Sequence, residues 1–582
     1  MKRVLAAVAA LLLLGGCTGV PSSSAPQTVE ALDTGSPGGG PSVSPPADAD
    51  PRTIVDAFLK ANAVDPEKHS SARAFLTPAA RNGWSDVTAT IVSDESIGTY
   101  DAAKRTLRVQ GRILGTLNAD GIYTPSLQAD GQGGPLVPFD FHLTKVGGQY
   151  RIDVPPRNGL LLRDEQFQEA YKQHVLYFFD VAESYLVPDL RWSALTDRAQ
   201  LASWLLSRLV SPNGPRPELQ NAVSTDTLPA QADARNLTVR VGSPTRIEIP
   251  GSSRLAAGVR NRLAAQVSYT LYETLSGHTI TLTDGGTPVD IPSVGGDQFS
   301  ASDFAAATGP KAPDPAVYYL VGGQVRTEDG KPLGGPLSDG RYFLNSIAVA
   351  RPRPAGPLLV AGVQGTGGNA RLLVGTPSGL RPTTVRGVLS RPAFAPGRAE
   401  VWIGMGSLLY RVTTDGTTSK ATAVPIPAVS GGGRVVAVRL SPEGSRIAIV
   451  VSGANASSAQ LYVGSIVRGA GQVRVDTLEP ISPEGVVVKD VAWLDSLKLY
   501  AIGSLAASRE PRTFETGVDG TEWTNLSIEN LPLAPDSVTV ATGANVWVSA
   551  NGYVWKAQGG TQWVSPGPPT GQTPGRVPVY LS

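Results

Sequence analysis

The side chains that could do chemistry are few and scattered along 582 residues. Cys17 is the single cysteine, so no internal disulfide is possible and its thiol needs another use. The four histidines, His69, His142, His174 and His278, stand apart, and no pair has the spacing of metal ligands. The chain has no His-Glu-x-x-His, no Gly-x-Ser-x-Gly, no phosphate-binding glycine loop and no repeated Asp calcium loop. Asp101, His142 and Asp153 show no spacing that assembles a proton-transfer group. Asp180, Glu183 and Asp189 lie among strand-like sequence, where Arg191 offers a partner; a surface pair of that kind is worth ~0–1 kcal/mol. Gly365-Thr-Gly-Gly368 and Gly431-Gly-Gly433 fall between strands and read as turns. No catalytic group, metal or cofactor is expected, and the chain reads as a non-enzyme.

Cys17 is different because of what precedes it. Met1-Lys2-Arg3 is a positive head, and Val4 to Leu14 is an uncharged run of Ala, Val and Leu. That run is too short for a ~30 Å hydrocarbon core, which needs about 20 residues, and fits a secretory leader. Leu14-Gly15-Gly16-Cys17 resembles the lipobox of bacterial lipoproteins. The resemblance implies cleavage after residue 16, a diacylglycerol on the Cys17 sulfur and a palmitoyl group on its nitrogen. One acyl chain binds a membrane only marginally, whereas two or more hold firmly. Residues 17–49, rich in Ser, Gly and Pro, then form a tether. The folded part is expected on the extracytoplasmic face of the cell membrane.

The elements behind that anchor read as three bodies. Lys and Arg number 50 against 49 Asp and Glu, which gives no electrostatic case for nucleic acid. Gly 65 and Pro 48 favour short strands and tight turns. From Asp50-Pro51 a helix carries Ile54, Val55, Phe58 and Leu59 at helical spacing. A second short helix follows near 71–76, and the pattern alternates from 88 to 154. Residues 50–156 are therefore expected as an α+β domain, similar to the cone of the nuclear-transport-factor-like superfamily. Residues 157–310 read as a second α+β domain, with strands at 175–179 and 185–191, a helix at 201–209 and a longer one at 255–271. Its Val-Leu-Tyr-Phe-Phe-Asp and Leu-Val-Pro-Asp-Leu-Arg segments resemble the GerM-type domain.

Over 311–582 equivalent stations recur at Ala348, Phe394, Leu440, Trp493 and Thr539, each followed by further strands. Repeats of ~40–50 residues with four strands each point to an all-β propeller. Five or six blades are expected, with 317–325 and 577–581 able to complete one composite blade. Trp402, Trp493, Trp523, Trp547, Trp555 and Trp563 are either packing between blades or stacking platforms for a wall glycan or peptide.

Gly-Cys-Thr-Gly-Val-Pro-Ser-Ser-Ser-Ala-Pro, Asp-Pro-Arg-Thr-Ile-Val-Asp-Ala-Phe-Leu, the GerM-type unit and Arg-Pro-Ala-Phe-Ala-Pro occur in an order that resembles the LpqB family of actinobacterial lipoproteins. The resemblance implies an accessory of the MtrA–MtrB two-component system that contacts the outer part of the MtrB-type sensor kinase. Cell-wall homeostasis and division are the processes implied. Cys17 is the one functional residue that the resemblance transfers. The alternative is an envelope glycan- or peptide-binding protein, or a propeller hydrolase.

Overall fold

The structure is a computed structural model that describes residues 44–64, 69–126, 136–155, 159–211, 214–229, 234–310, 315–428, 433–453, 458–469, 471–483, 485–526, 534–559, 562–566 and 573–582. The segment from Val43 to Ser582 forms one compact unit.

The first body opens as the sequence dictates. Asp50 caps the helix Pro51–Ala61 by accepting from the Thr53 N–H, and Pro51 occupies the first turn. Ile54, Val55, Phe58 and Leu59 are buried, and the Phe58 ring meets Phe75, Trp84 and Phe141. The helix covers a curved sheet whose strands run in the order Gln149–Val154, Leu136–Val146, Thr106–Leu117, Ala89–Ile97, Leu160–Arg163. The last of these pairs parallel with Ala89–Ile97, and Phe167 of the following helix enters the same core. The first sheet thus runs past residue 156, the expected boundary. The apolar Leu160-Leu161-Leu162 completes its edge, and the helix Asp164–Ala170 belongs with it.

In the second body Lys172–Asp180 pairs with Leu186–Ser193 on one side and Val223–Ser224 on the other. The helix Arg198–Leu209 buries Leu201, Leu205, Leu206 and Leu209. A second sheet holds Thr238–Arg240, Thr245–Glu248, Ile280–Asp284 and Thr287–Pro288. The parallel pair Thr245–Glu248 and Ile280–Asp284 is bridged by the helix Ala257–Thr270, because parallel strands need a crossover.

Among the described residues the remainder forms a propeller of six blades. Five have four antiparallel strands each, with inner strands Leu344–Ala350, Ala393–Phe394, Arg434–Leu440, Val486–Trp493 and Pro535–Thr539. The sixth has three, Arg576–Tyr580, Val317–Val321 and Gln324–Thr327, so the end of the chain supplies the innermost strand. Val349 bridges Leu581 in parallel; beside it the Arg351 N–H donates to the Ser582 carbonyl and the Ser582 N–H to the Val349 carbonyl. Separate apolar clusters lie between successive blades, as thin sheets that cannot bury their own faces require.

Candidate functional site

The strand Leu186–Ser193 is buried along its whole length, including two charged residues. Arg191 donates from Nε to Asp189 Oδ1 at 3.1 Å and from Nη2 to Asp189 Oδ2 at 2.8 Å, with side chains 1% and 0% exposed. The sequence leaves Asp180, Glu183 and Asp189 as alternative surface partners for Arg191; the structure pairs it with Asp189 and buries both. Arg191 also donates to the carbonyls of Asp120 and Gly214, and Asp189 Oδ2 accepts the Arg216 N–H at 2.9 Å. Burial pushes the Asp189 carboxyl above the ordinary carboxylate range, against the pull of Arg191 and Arg216.

This strand is where the three bodies meet. Toward the first body, the Trp192 N–H donates to the Gly121 carbonyl and the Trp192 ring packs on Phe167 and Tyr123. Gly121 has φ +73, and a Cβ there would lie 2.5 Å from the Trp192 carbonyl and 2.7 Å from the Trp204 ring, so the approach requires glycine. Toward the propeller, Arg446 donates to the Pro188 carbonyl, Asn221 to Asp476 at 2.6 Å, and Thr477 to the Glu218 carbonyl at 3.0 Å. Arg216 lies 2.5 Å from Glu218 and 3.9 Å from Asp519. Hydrogen bonds and an ion pair thus join the three bodies around this strand.

Beside the junction, between the first two bodies, is a cleft of ≈ 690 Å³. Tyr171, Trp192, Trp204, Arg208, Gln200 and Asp86 are among its lining. The Arg208 guanidinium lies 4.3 Å from the Trp204 ring centroid and donates to the Ala119 carbonyl. Burial pushes the Tyr171 hydroxyl up to about 12, so it stays neutral. Aromatic faces, an amide and a guanidinium bind by stacking and hydrogen bonding.

The propeller mouth is a second cavity, ≈ 430 Å³, walled by Pro352, Pro392, Pro396 and Pro442 with Arg439, Trp493 and Tyr580. Deeper in the ring Asp490, fully buried, takes Arg439 at 3.2 Å, the Arg391 guanidinium and the Val538 N–H at 2.7 Å. Two arginines and a main-chain N–H from the neighbouring blades thus converge on one carboxylate.

The tryptophans are mostly packing. Trp402, Trp493, Trp547 and Trp563 are buried, and half-buried Trp523 donates to the Ile481 carbonyl and packs on Phe514. No shared stacking platform forms from the six. His142 contacts Thr106 Oγ1, while Asp101 caps its own turn, so neither joins Asp153 in a site. Among the described residues no group of three His, Cys, Asp or Glu side chains converges as a metal centre. Among them, too, no helix is long and apolar enough to cross a membrane. Cys17 and its neighbours Leu14, Gly15 and Gly16 lie outside the described residues. Asp519 and Arg216 were not singled out from sequence; the one local signal was Asp-Leu-Arg inside an otherwise apolar strand.

Two family profiles match the chain: "Lipoprotein LpqB, N-terminal domain" over residues 44–168 and "Lipoprotein LpqB beta-propeller domain" over residues 322–580. Relatives named Lipoprotein LpqB include one from Mycolicibacterium smegmatis, 30% identical over 78% of this chain and 79% of its own. Another, from Mycobacterium bovis, is 31% identical over 78% of this chain and 79% of its own. Among solved structures, a gluconolactonase from Xanthomonas campestris is similar over 38% of this chain and 72% of its own, with 16% identity and TM-score 0.26. An α-L-arabinanase from Penicillium chrysogenum is similar over 43% and 85%, with 12% identity and TM-score 0.28. At those scores neither bears on activity.

Proposed function

The chain belongs to the LpqB lipoprotein family, and on that premise we propose that it is held to the outer face of the cell membrane through Cys17 and modulates an MtrB-type sensor kinase by protein–protein contact, without catalysis. The observation that carries this reading is the junction around Leu186–Ser193, where Asp189, Arg191, Arg216 and Asp519 join all three bodies. A preorganised surface loses little freedom when it binds, so bodies joined in this way are suited to contacting one state of a partner. Modulation requires tighter binding to one signalling state of the kinase than to the other. A stable contact would bury ~800 Å² per partner. Cell-wall homeostasis and division are the outputs the reading assigns.

The test is in-cell crosslinking of the lipidated protein, followed by mass spectrometry of captured peptides. Crosslinks to a histidine-kinase ectodomain support the proposal and identify the contacting body. Capture of only wall fragments or wall enzymes, with regulator phosphorylation unchanged on deletion, overturns it.

A further inference from the structure

The charge balance of the whole chain conceals a local imbalance. Between Gly340 and Ala399 the sequence carries eight arginines, at 341, 351, 353, 371, 381, 386, 391 and 398, and no Asp or Glu. This is the first blade and the entry to the second. At one end of the first blade the strands finish on a single row, Leu344 beside Gln364, Gln364 beside Arg371, and Arg371 beside Arg386. Gln364 ties the row together, donating to the Tyr342 carbonyl at 2.7 Å and accepting from Arg371 Nε at 2.8 Å. The row continues into the second and third blades. The Val388 carbonyl accepts from the Gly406 N–H, and the Gly406 carbonyl from Val435, next to Arg434. Arg371, Arg386 and Arg434 are exposed and make no ion pair among the described residues.

Large apolar side chains stand between these cations. Phe343 is 71% exposed, Leu408 49% and Val388 38%. Phe343 has φ 45, a left-handed conformation that a bulky side chain adopts only where its surroundings impose it. Gly323 of the sixth blade packs closely on this backbone, and a Cβ there would lie 2.9 Å from the Phe343 Cα. The fold therefore holds a phenyl ring out into solvent beside unpaired guanidiniums.

We propose that this edge of the first three blades docks on an anionic lipid surface, with Phe343, Val388 and Leu408 entering the headgroup region and Arg371, Arg386 and Arg434 meeting lipid phosphates. The combination selects the occupant. Guanidiniums alone would suit any polyanion, but a soluble polyanion leaves three apolar side chains in water, whereas a bilayer interface accepts both. The proposal rests on anchoring through Cys17. The segment 18–49 can span at most about 110 Å, so the anchor keeps the folded part near the membrane, and docking becomes an intramolecular event at raised effective concentration.

The test uses the full, lipidated chain, in which Cys17 is blocked by its thioether and Leu408→Cys supplies a free thiol for an environment-sensitive fluorophore. The labelled protein is incorporated in vesicles of phosphatidylcholine alone or mixed with phosphatidylglycerol. A blue shift is expected only with phosphatidylglycerol, lost near 1 M salt, where the screening length is about 3 Å. Arg371→Glu with Arg386→Glu, and separately Phe343→Ser, should weaken docking about tenfold or more. Both changes are at exposed positions, and unchanged melting temperatures verify the fold. Flotation with vesicles reads the anchor independently: protein that fails to float overturns the anchoring reading itself. Protein that floats without a shift overturns docking alone. An equal shift with soluble polyphosphate overturns the lipid assignment in favour of a polyanion.

Discussion

The Trp192 indole N–H donates to the Asp519 carboxylate at 3.3 Å, joining residues 327 positions apart. The other Asp519 oxygen closes a turn onto Thr521, and Arg216 lies alongside. One buried carboxylate thus fixes a propeller loop against the second body. Truncating it removes one of the carboxylates facing Arg216, leaving Glu218 and Asp189, and takes away the acceptor of the indole.

Asp519→Ala should therefore destabilise the protein by about 3 kcal/mol, in the range for removing one partner of a buried charged set. Because the loss falls on the joint, the transitions of the propeller and the second body should lie further apart than in the parent chain. Guanidinium unfolding followed by far-ultraviolet circular dichroism and by tryptophan fluorescence gives the readout. Curves superimposable on the parent would refute the assignment.

Asp189 and Arg191 test the same joint from inside the strand. Asp189→Ala strands a guanidinium with 1% exposure and should cost about 3–5 kcal/mol. Asp189→Leu combined with Arg191→Met removes both charges and should recover most of that loss. A double variant as unstable as the single one would show that Arg191 acts through its bonds to Asp120 and Gly214 instead.

The difference between what the sequence announced and what it hid has a physical basis. The propeller was legible because each blade repeats the same inner strand and turns, mostly at steps of 46 residues; the two leftover strands pointed to a composite blade but left the number at five or six. The helix at Pro51 was legible because capping is local. The junction was not: Asp189 and Arg191 alternate like solvent-facing residues, and only the contacts of Asp120, Gly214 and Arg216, from distant loops, reveal that this face is covered. The basic edge was missed for another reason. Summing charge over the chain cancelled a stretch in which arginine has no acidic counterpart.

Gly121 sets the cleft between the first two bodies. A methyl at this position would have to displace the Trp192 carbonyl and the Trp204 ring, at a backbone angle unfavourable to alanine. Gly121→Ala should cost about 2 kcal/mol or more and push Trp204 toward solvent. Acrylamide quenching of tryptophan fluorescence is the check; unchanged quenching and stability would mean the loop moves freely, contrary to the close approach at this glycine.

Ring closure by the last strand predicts a specific vulnerability. Deleting residues 576–582 removes the inner strand of the sixth blade and exposes the Val317–Val321 edge, with its buried Val317, Tyr319 and Leu320. An unpaired apolar edge invites association with other chains. Limited proteolysis should cut the shortened chain near 317–327 first, and light scattering should show aggregation at concentrations where the parent is monodisperse. A shortened chain that remains resistant would mean the other five blades hold the ring without it.

His174 gives the protein an acid-sensitive point beside the junction. It pairs across the ladder with Arg191, and its Nε2 is buried without a hydrogen-bond partner among the described residues. Burial lowers its pKa below the usual 6.5, so the fold favours the neutral ring and the unfolded chain takes the proton first. The sign follows from proton linkage: the group's contribution is complete above about pH 6.5 and is lost as pH falls through the lowered folded value. Melting temperature should decline between pH 7 and 5, and His174→Leu should flatten that decline while leaving the carboxylate-driven loss at lower pH in place. If the variant keeps the parent's full slope in this window, the imidazole is not the titrating group; if it flattens, the second body's central ladder is where acid first loosens the joined structure.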